Sequence, residues 1–327
     1  MMTAATTKPQ PMFRPTGLGA VGEGLHRSGW PYALQALQPW LAEDAPVLLD
    51  DFVERTFLFG KNRKRGIVHR SPWIGIFHHP VDVPEGFGIG PDGLGQLPAW
   101  RESLPHLKLA IVLAGHMAPW VRQAWGKPCL VLRHPSEAPA LTWSPAAFDA
   151  NPAKKLVQVG FFLRNTHAIC QVPAPAWLEK VRLNPSAGFI RRLHQHWKAA
   201  SAHRPDVGAV TELERLGEGA YDRLLSRNLV FLELLEASAN NTILECIARA
   251  TPIVVNRLPG PEFYLGRDYP LFYDHLGEVA ALLTPERILE AHAYLRRLPK
   301  DWLSGQAFAR DLAEGCRRMV PELWAPR

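Results

Sequence analysis

Small polar residues follow a strongly apolar run in the second half of the sequence. The run NLVFLELL (228–235) predicts a buried strand, and Asn240, Asn241 and Thr242 precede a helical pattern. A helix that begins after such a strand has its unpaired N–H groups and the positive end of its dipole at the carboxyl edge of a sheet. This arrangement is typical of an anion site, and a diphosphate would suit it.

Glu245 lies on the same face of that predicted helix as Asn241 and Thr242, by its i+4 and i+3 spacing. A carboxylate in that place could accept hydrogen bonds from two hydroxyls of a ribose. On spacing alone the simpler interpretation is the stronger one, in which Asn241 and Thr242 cap the helix and Glu245 faces solvent.

His78 and His79 close a second apolar run, WIGIFHH. In parallel α/β sheets the carboxyl ends of the strands face the ligand crevice. Because neighbouring strand residues point to opposite faces, we expect only one of the two histidines to face a substrate. It would act there as a general base or as a hydrogen-bond partner of an acceptor hydroxyl. A pair of purely structural histidines is the alternative.

Gly17, Gly19 and Gly22 match the pattern G-x-G-x-x-G of dinucleotide-binding proteins. That interpretation requires a preceding strand, and the residues 10–16 (QPMFRPT) do not predict one. We therefore expect either a loop that lets an acceptor or a phosphate approach the backbone closely, or an arm that leads into a helix.

Asp50 and Asp51 close a third apolar run, where a carboxylate could contact a substrate, although capping of a turn is the favoured interpretation. No D-x-D pattern occurs in the sequence, so a magnesium–nucleotide clamp of that type is not indicated. We expect neither a metal nor another cofactor.

Apolar runs without strict alternation recur along the chain, as in parallel strands that are buried on both faces. Helical patterns lie between many of them, and this alternation predicts an α/β protein with helices on both faces of its sheets. The predicted strands are 46–50, 73–78, 107–114, 128–133, 155–160, 228–235 and 252–256. The predicted helices are 22–41, 117–124, 185–200, 219–226, 241–250, one that begins at Thr284, and 301–319.

The segment 135–152 is rich in Pro, Ala and Ser, and a fresh apolar run follows it. It is the best boundary in the chain. We therefore expect two α/β domains, 1–140 and 153–327.

The composition excludes several classes of protein. Of the 327 residues, 47% are hydrophobic and 21% are charged, which is typical of a folded globular protein. The net charge of +6 is mild, and it fits an anionic small molecule better than a nucleic acid. Four scattered cysteines without a C-x-x-C pair indicate neither a zinc ribbon nor a disulfide framework. No signal peptide and no apolar stretch of about 18 residues occur, so we expect a cytoplasmic protein without a transmembrane span.

Residues 242–255 (TILECIARATPIVV) resemble, without a gap, the "LLEAMA.G.PVV" motif of GT-B glycosyltransferases, particularly glycosyltransferase family 4. Residues 159–164 (VGFFLR) resemble the "vG…R" strand that opens the second domain of those enzymes. Residues 134–148 resemble the crossover between the domains, and residues 108–120 resemble a strand–helix unit of the first domain.

This resemblance implies two Rossmann-like domains with a cleft between them, the first on the acceptor side and the second on the donor side. It implies the metal-independent transfer of a sugar from a nucleotide donor to an acceptor, which could be a glycan, a small molecule or a peptide. Arg164 and residues 240–242 would bind the donor diphosphate, and Glu245 would hold the ribose. One of His78 and His79 would face the acceptor.

Two positions depart from the pattern of the family. Its first glutamate, eight residues before Glu245, corresponds to Ala237, and the lysine expected shortly after Arg164 is replaced by Ile169 and Cys170. These departures keep two alternatives open. One is a non-catalytic GT-B relative that serves as a partner or scaffold, and the other is a GT-B-type sugar-nucleotide epimerase.

Overall fold

A computed structural model describes residues 10–18, 29–81, 83, 91–183 and 210–325. The described chain forms two compact units, each built around one parallel β-sheet. The first unit holds the described residues up to 137 and from 301 onward, and the second holds those from 138 to 300. Within the described ranges, no helix combines the length and the apolar character that a bilayer crossing requires.

The sheet of the first unit has five parallel strands in the order β1-β2-β3-β4-β5. In the central strand, Ile74 lies in register with Leu49 on one side and Leu109 on the other. All residues of that strand are buried, as its uninterrupted apolar run predicts. The strands are β1 (Phe13–Pro15), β2 (Val47–Asp50), β3 (Trp73–Phe77), β4 (Leu107–Val112) and β5 (Cys129–Val131).

Strand β1 corrects the expectation that no strand precedes Gly17. Its residues pair in parallel with β2, and Phe13 is fully buried. Pro15 is compatible with the strand because β1 lies at the edge of the sheet, where a missing N–H costs no ladder hydrogen bond. Three residues that include Arg14 and Pro15 carry no hydrophobic period, so sequence patterning could not detect them.

Helices follow the strands of this unit, as the alternation of patterns predicts. The predicted helix 22–41 is shorter than expected, because the α-helix stops before Pro39 and a 3₁₀ turn (Gln38–Trp40) follows it. Its residues 22–28 lie outside the described ones. The helices are α1 (Trp30–Leu37), α2 (Val53–Phe57), α3 (Gly60–Arg65), α4 (Pro91–Gly95), α5 (Pro98–Ser103) and α6 (Met117–Trp125).

The sheet of the second unit has six parallel strands in the order β11-β10-β9-β6-β7-β8. Strands β6 and β9 are neighbours at the centre of this sheet. The chain continues from β6 to β7 and β8 on one side and from β9 to β10 and β11 on the other, so this pair marks the topological switch point. Ligands of open α/β sheets bind beyond the carboxyl ends of the strands at such a point. The strands are β6 (Lys155–Val159), β7 (Glu179–Leu183), β8 (Val210–Leu213), β9 (Leu229–Leu232), β10 (Ile253–Asn256) and β11 (Phe272–Tyr273).

The helices of the second unit agree with the predicted patterns at 219–226, 241–250 and Thr284. The Thr284 hydroxyl accepts a hydrogen bond from the amide of Arg287 at 3.3 Å and begins a helix as expected. The predicted helix 185–200 lies outside the described residues. The helices are α7 (Pro145–Asp149), α8 (Ala168–Gln171), α9 (Glu218–Ser226), α10 (Asn241–Arg249), α11 (Pro259–Leu265), α12 (Val279–Leu282) and α13 (Pro285–Arg297).

The last helix, α14 (Gly305–Met319), packs in the first unit and corrects the predicted domain division. The amide of Gly305 donates a hydrogen bond to the hydroxyl of Tyr32 at 3.0 Å. A Cβ at Gly305 would lie 2.7 Å from that of Ala36, so α14 and α1 approach closely. The expectation that 153–327 forms one domain therefore fails from residue 301 onward. An amphipathic helix pattern does not tell which of two sheets its apolar face will cover.

Candidate functional site

Helix α10 begins at the carboxyl end of β9, beside the switch point of the second sheet. Asn240 is its N-cap, and its Oδ1 accepts hydrogen bonds from the amides of Thr242 at 3.1 Å and Ile243 at 3.3 Å. The prediction of a helix N-terminus here is confirmed, but the capping residue is Asn240 and not Asn241 or Thr242. Asn241 is the first helical residue and is half-buried.

Arg164 comes from the loop after β6 and reaches the same helix N-terminus. Its Nη2 donates to Oδ1 of Asn240 and to Oγ1 of Thr242, both at 3.2 Å, and its Nη1 donates to the carbonyl of Phe162 at 3.0 Å. Gly160, at φ +73°, makes room for it, because a Cβ there would lie 3.2 Å from the guanidinium carbon. The fold therefore brings Arg164 to Asn240 and Thr242, which lie 76 and 78 residues away from it in sequence.

The charge of Arg164 is not balanced by any of these contacts, because all three acceptors are neutral. Its buried Nε has no hydrogen-bond partner in the described part of the chain. Burial lowers the pKa of Arg164 to about 10, so the group is still a cation at neutral pH. A half-buried cation with neutral partners beside a helix N-terminus is suited to bind an anion.

Glu245 is buried with a side-chain exposure of 1%, so the expectation that it faces solvent is wrong. The hydroxyl of Tyr221, on α9, donates a hydrogen bond to its Oε2 at 2.5 Å. Nη1 of Arg249 lies 4.0 Å from the same oxygen, and Nη2 of Arg249 donates to the buried carboxylate of Asp222. Glu245 thus belongs to a buried polar network between α9 and α10.

Three residues of this network, Tyr221, Asp222 and Arg249, were absent from the sequence prediction. Tyr221 is 24 positions from Glu245 on another helix, so no local spacing connects them. Burial, together with the neighbouring Glu245, raises the pKa of Tyr221 well above its usual value of 10, and the phenol is therefore a hydrogen-bond donor at neutral pH.

A second polar group lies at the same edge of the sheet and was also not predicted. Asn165 donates from its Nδ2 to Oε2 of Glu233 at 3.1 Å, and Gln158 donates to the carbonyl of Asn165 at 2.9 Å. Burial raises the pKa of the Glu233 carboxyl. Glu233 directly follows β9, and its position at a strand end was the one signal available in the sequence.

Helix α11 packs against the loop between β9 and α10. A Cβ at Gly260 would lie 2.0 Å from the backbone oxygen of Ala237 and 3.1 Å from that of Ser238. Only glycine allows α11 to pack so closely against this loop. Gly260 therefore helps to position the segment that leads into the Asn240 cap.

In the first unit, His78 and His79 both lie beyond the end of β3, which stops at Phe77. This corrects the expectation that strand alternation sends them to opposite faces. Instead, the fully buried carboxylate of Glu54 accepts hydrogen bonds from both of their backbone amides, at 3.0–3.2 Å. Glu54 was not predicted, because it acts on the backbone from α2.

The two imidazole rings pack against aromatic side chains. His78 stacks on Phe52 with ring centroids 4.0 Å apart, and its Nε2–H donates to the carbonyl of Asp51 at 3.0 Å. Burial holds the pKa of His78 well below its usual value, so the ring is neutral at pH 7. His79 is 5% exposed and lies with its ring centroid 5.4 Å from that of Phe59.

Gly17 lines a cavity of about 290 Å³ beside the carboxyl ends of β1 and β2, together with Asp51 and Arg55. Oδ2 of Asp51 accepts hydrogen bonds from Nη2 of Arg55 at 2.6 Å and from the indole of Trp30 at 2.9 Å. The neighbouring Asp50 caps the turn after β2, because its Oδ1 accepts a hydrogen bond from the amide of Phe52. Gly19 and Gly22 lie outside the described residues. The apolar lining comes from Pro15, Leu18, Leu34, Leu37, Leu41 and Leu49.

Arg55 is 3% exposed, and its Nε has no partner among the residues that the structure describes. Burial raises the pKa of Asp51, although Arg55 opposes that shift. The cavity therefore offers a carboxylate acceptor and a guanidinium donor in a lining that is mostly apolar but also includes Thr16 and Gln38, a combination that suits a small hydroxylated ligand. No cluster of His, Cys, Asp and Glu that could hold a metal ion occurs within the described ranges.

Comparison with known proteins identifies the fold. No protein-family model matches this sequence, and no curated protein matches it. Among solved structures, a trehalose-6-phosphate synthase matches over 89% of this chain and 76% of its own, at 14% identity and a TM-score of 0.55. The synthase from Burkholderia multivorans matches over 89% and 76%, at 15% identity and a TM-score of 0.52. A sucrose-phosphate synthase from Thermosynechococcus elongatus matches over 86% and 73%, at 13% identity and a TM-score of 0.53. The chain thus has the GT-B fold class, with two Rossmann-like domains.

Proposed function

We propose that this chain is a glycosyltransferase that takes a sugar from a nucleoside-diphosphate donor and needs no metal. The observation that carries the proposal is the environment of Arg164. This half-buried cation donates only to neutral acceptors, and it lies at the N-terminus of α10, beside the switch point of the second sheet. Solved structures of the same fold include one from E. coli bound with UDP-2-fluoro glucose, which supports a donor of this class.

The reaction breaks the bond between the anomeric carbon and the diphosphate oxygen, and the electron pair leaves with the diphosphate. The oxygen of an acceptor hydroxyl forms the new bond to that carbon and loses its proton. Arg164 and the dipole of α10 would stabilise the charge on the leaving group, because both are in place before the reaction begins. The amides of Thr242 and Ile243 already donate to Asn240, so the phosphates would be bound mainly through Arg164 and the polar side chains around it.

Glu245 would hold the ribose. It lies one turn beyond Thr242 on the same helix, and the charges of Tyr221 and Glu245 raise the pKa of Arg164 against the larger, opposite effect of burial. A nucleotide whose diphosphate meets Arg164 would therefore bring its ribose toward Glu245.

The first unit would bind the acceptor, and its cavity beside Gly17 is the site that we assign to it. A test is Leu34→Trp, which fills the cavity from α1 without removing Asp51 or Arg55. The variant should lose sugar transfer and retain nucleotide binding, whereas Gln35→Trp, at the next and exposed position, should retain both. Loss of nucleotide binding in Leu34→Trp would contradict the assignment.

A non-catalytic relative is the second candidate. Ala237 replaces a carboxylate of the resembled family, and the carboxylate of Glu245 is already bonded to Tyr221. Such a protein would bind nucleotide without turnover, whereas an epimerase would convert the donor sugar in the absence of any acceptor.

The first test is a thermal-shift screen with UDP, GDP and ADP and with the corresponding nucleosides. A ligand at 100 times its Kd stabilises the native state by roughly 2.7 kcal/mol, which is readily measured. At least one diphosphate should raise the Tm, and its nucleoside should raise it much less. No shift with any of the three diphosphates would contradict the proposal.

A further inference from the structure

Glu245 is the proposed ribose ligand, yet it is closed off from solvent. Its side chain is 1% exposed, and Tyr221 and Arg249 both lie at Oε2. A ribose can therefore reach the carboxylate only if one of these neighbours moves.

The two neighbours differ in how firmly they are held. Arg249 is fully buried, and it is paired with Asp222, which is itself 1% exposed. Its guanidinium also donates to the carbonyl of Glu245 at 3.2 Å. Tyr221, in contrast, is half-buried on α9, so its ring can leave Glu245 without breaking a buried ion pair.

We infer that Tyr221 is a specificity residue of the nucleotide site, and that its hydroxyl occupies on Glu245 the position that a ribose hydroxyl takes when the nucleotide binds. This inference rests on the proposed function. Binding then exchanges one O–H donor to the carboxylate for another, so the buried charge is paired both before and after the exchange.

This exchange applies only to a nucleotide that carries ribose hydroxyls. A ribonucleotide that displaces Tyr221 has to replace its hydrogen bond to Glu245, so the phenol opposes its binding. A nucleotide without the 2′- and 3′-hydroxyls has no donor for the carboxylate, and it would bind with the phenol still on Glu245.

The test uses Tyr221→Phe and whichever of UDP, GDP and ADP binds the wild-type protein best, with its 2′,3′-dideoxy analogue. Without the phenol, Glu245 has lost a donor that the ribose can supply. We expect the Kd for the ribonucleotide to fall roughly ten-fold, since a hydrogen bond to a charged group no longer has to be broken. The Kd for the dideoxy nucleotide should change less than two-fold.

Tyr269→Phe is the matched control. Its hydroxyl is likewise buried and accepts a hydrogen bond from the amide of Ile253 at 2.9 Å, at the other end of β10 from the site. This variant should leave both dissociation constants unchanged.

If Tyr221→Phe does not fold, site-specific incorporation of 3-fluorotyrosine at position 221 preserves the hydroxyl. Its ¹⁹F resonance should then shift with the ribonucleotide and much less with the dideoxy analogue. An equal change in affinity for both nucleotides in Tyr221→Phe, an unchanged Kd for the ribonucleotide, or equal ¹⁹F shifts would overturn the inference while leaving the proposed function intact. If the wild-type protein binds none of the three diphosphates, the proposed function fails and the inference fails with it.

Discussion

Arg164→Ala should weaken the binding of nucleoside diphosphates far more than that of nucleosides. The guanidinium of Arg164 meets only neutral acceptors in the described chain, so a phosphate would be its first charged hydrogen-bond partner. A charge-assisted hydrogen bond of this kind contributes roughly 1.5–3 kcal/mol, which corresponds to a 10- to 150-fold increase in Kd.

Stability should change little in this variant. Arg164→Ala removes hydrogen bonds to Asn240 and Thr242, but it also removes a half-buried cation whose buried Nε has no partner in the described residues. Asn240 retains its bonds to the two amides of α10, so the helix N-terminus remains capped. We therefore expect a folded protein with a Tm close to that of the wild type.

Isothermal titration calorimetry with a diphosphate and with its nucleoside measures the effect directly. Arg227→Ala is the matched control, because it removes the same charge from an exposed position of the same unit and should leave binding unchanged. Arg164→Lys should fall between the wild type and Arg164→Ala, since an ammonium retains the charge but not the planar fork. An equal loss of affinity for diphosphate and nucleoside would refute the assignment of Arg164 to the phosphates.

Three further predictions concern other parts of the molecule. Gly260→Ala should lower the free energy of unfolding by at least about 1–3 kcal/mol and also weaken nucleotide binding, because a Cβ at this position meets the backbone of Ala237. Gly277→Ala is the control, since a Cβ there meets nothing within 4 Å, and equal Tm values for the two variants would contradict the prediction. Burial lowers the pKa of His134 to about 4, so between that pH and about 6.5 the unfolded state binds more protons than the folded state, and the free energy of unfolding should fall as the pH drops through this range. His134→Gln should flatten this pH dependence in denaturation experiments, and an unchanged slope would exclude His134 as its source. Sugar transfer should persist in excess EDTA, and loss of activity in the chelator would contradict the metal-free mechanism. At least one of His78→Ala and His79→Ala should lose most turnover, and a mild effect in both variants would contradict a role of the histidines in the reaction.

Much of the fold could be predicted because its central strands are continuous apolar runs. Each of the seven predicted strands is present, and the helix that begins after Asn240 starts within a residue of its expected position. Strands β7 and β8 were missed because charged residues interrupt their apolar pattern. Arg182 and Glu212, for example, form an ion pair across the two strands. Strands β1 and β11 are too short to carry a period.

The candidate site could be predicted only in part. Arg164 and Asn240 were identified through their resemblance to a known family, and the fold places them in hydrogen-bond contact. Tyr221 and Glu54 could not be found, because each acts on residues that lie more than 20 positions away, and only tertiary structure brings them together. The burial of Glu245 was missed for the same reason, since its neighbour on α9 covers it.

The central claim is tested most directly by measuring the turnover of donor sugars by the wild-type protein. The protein is incubated with UDP-, GDP- and ADP-linked sugars, with and without excess EDTA, together with a mixture of monosaccharide and sugar-phosphate acceptors, and the released nucleoside diphosphate is quantified. We predict release from one class of donor, dependent on acceptor and lost in Arg164→Ala. Nucleotide binding without release from any donor would contradict the glycosyltransferase and indicate the non-catalytic relative.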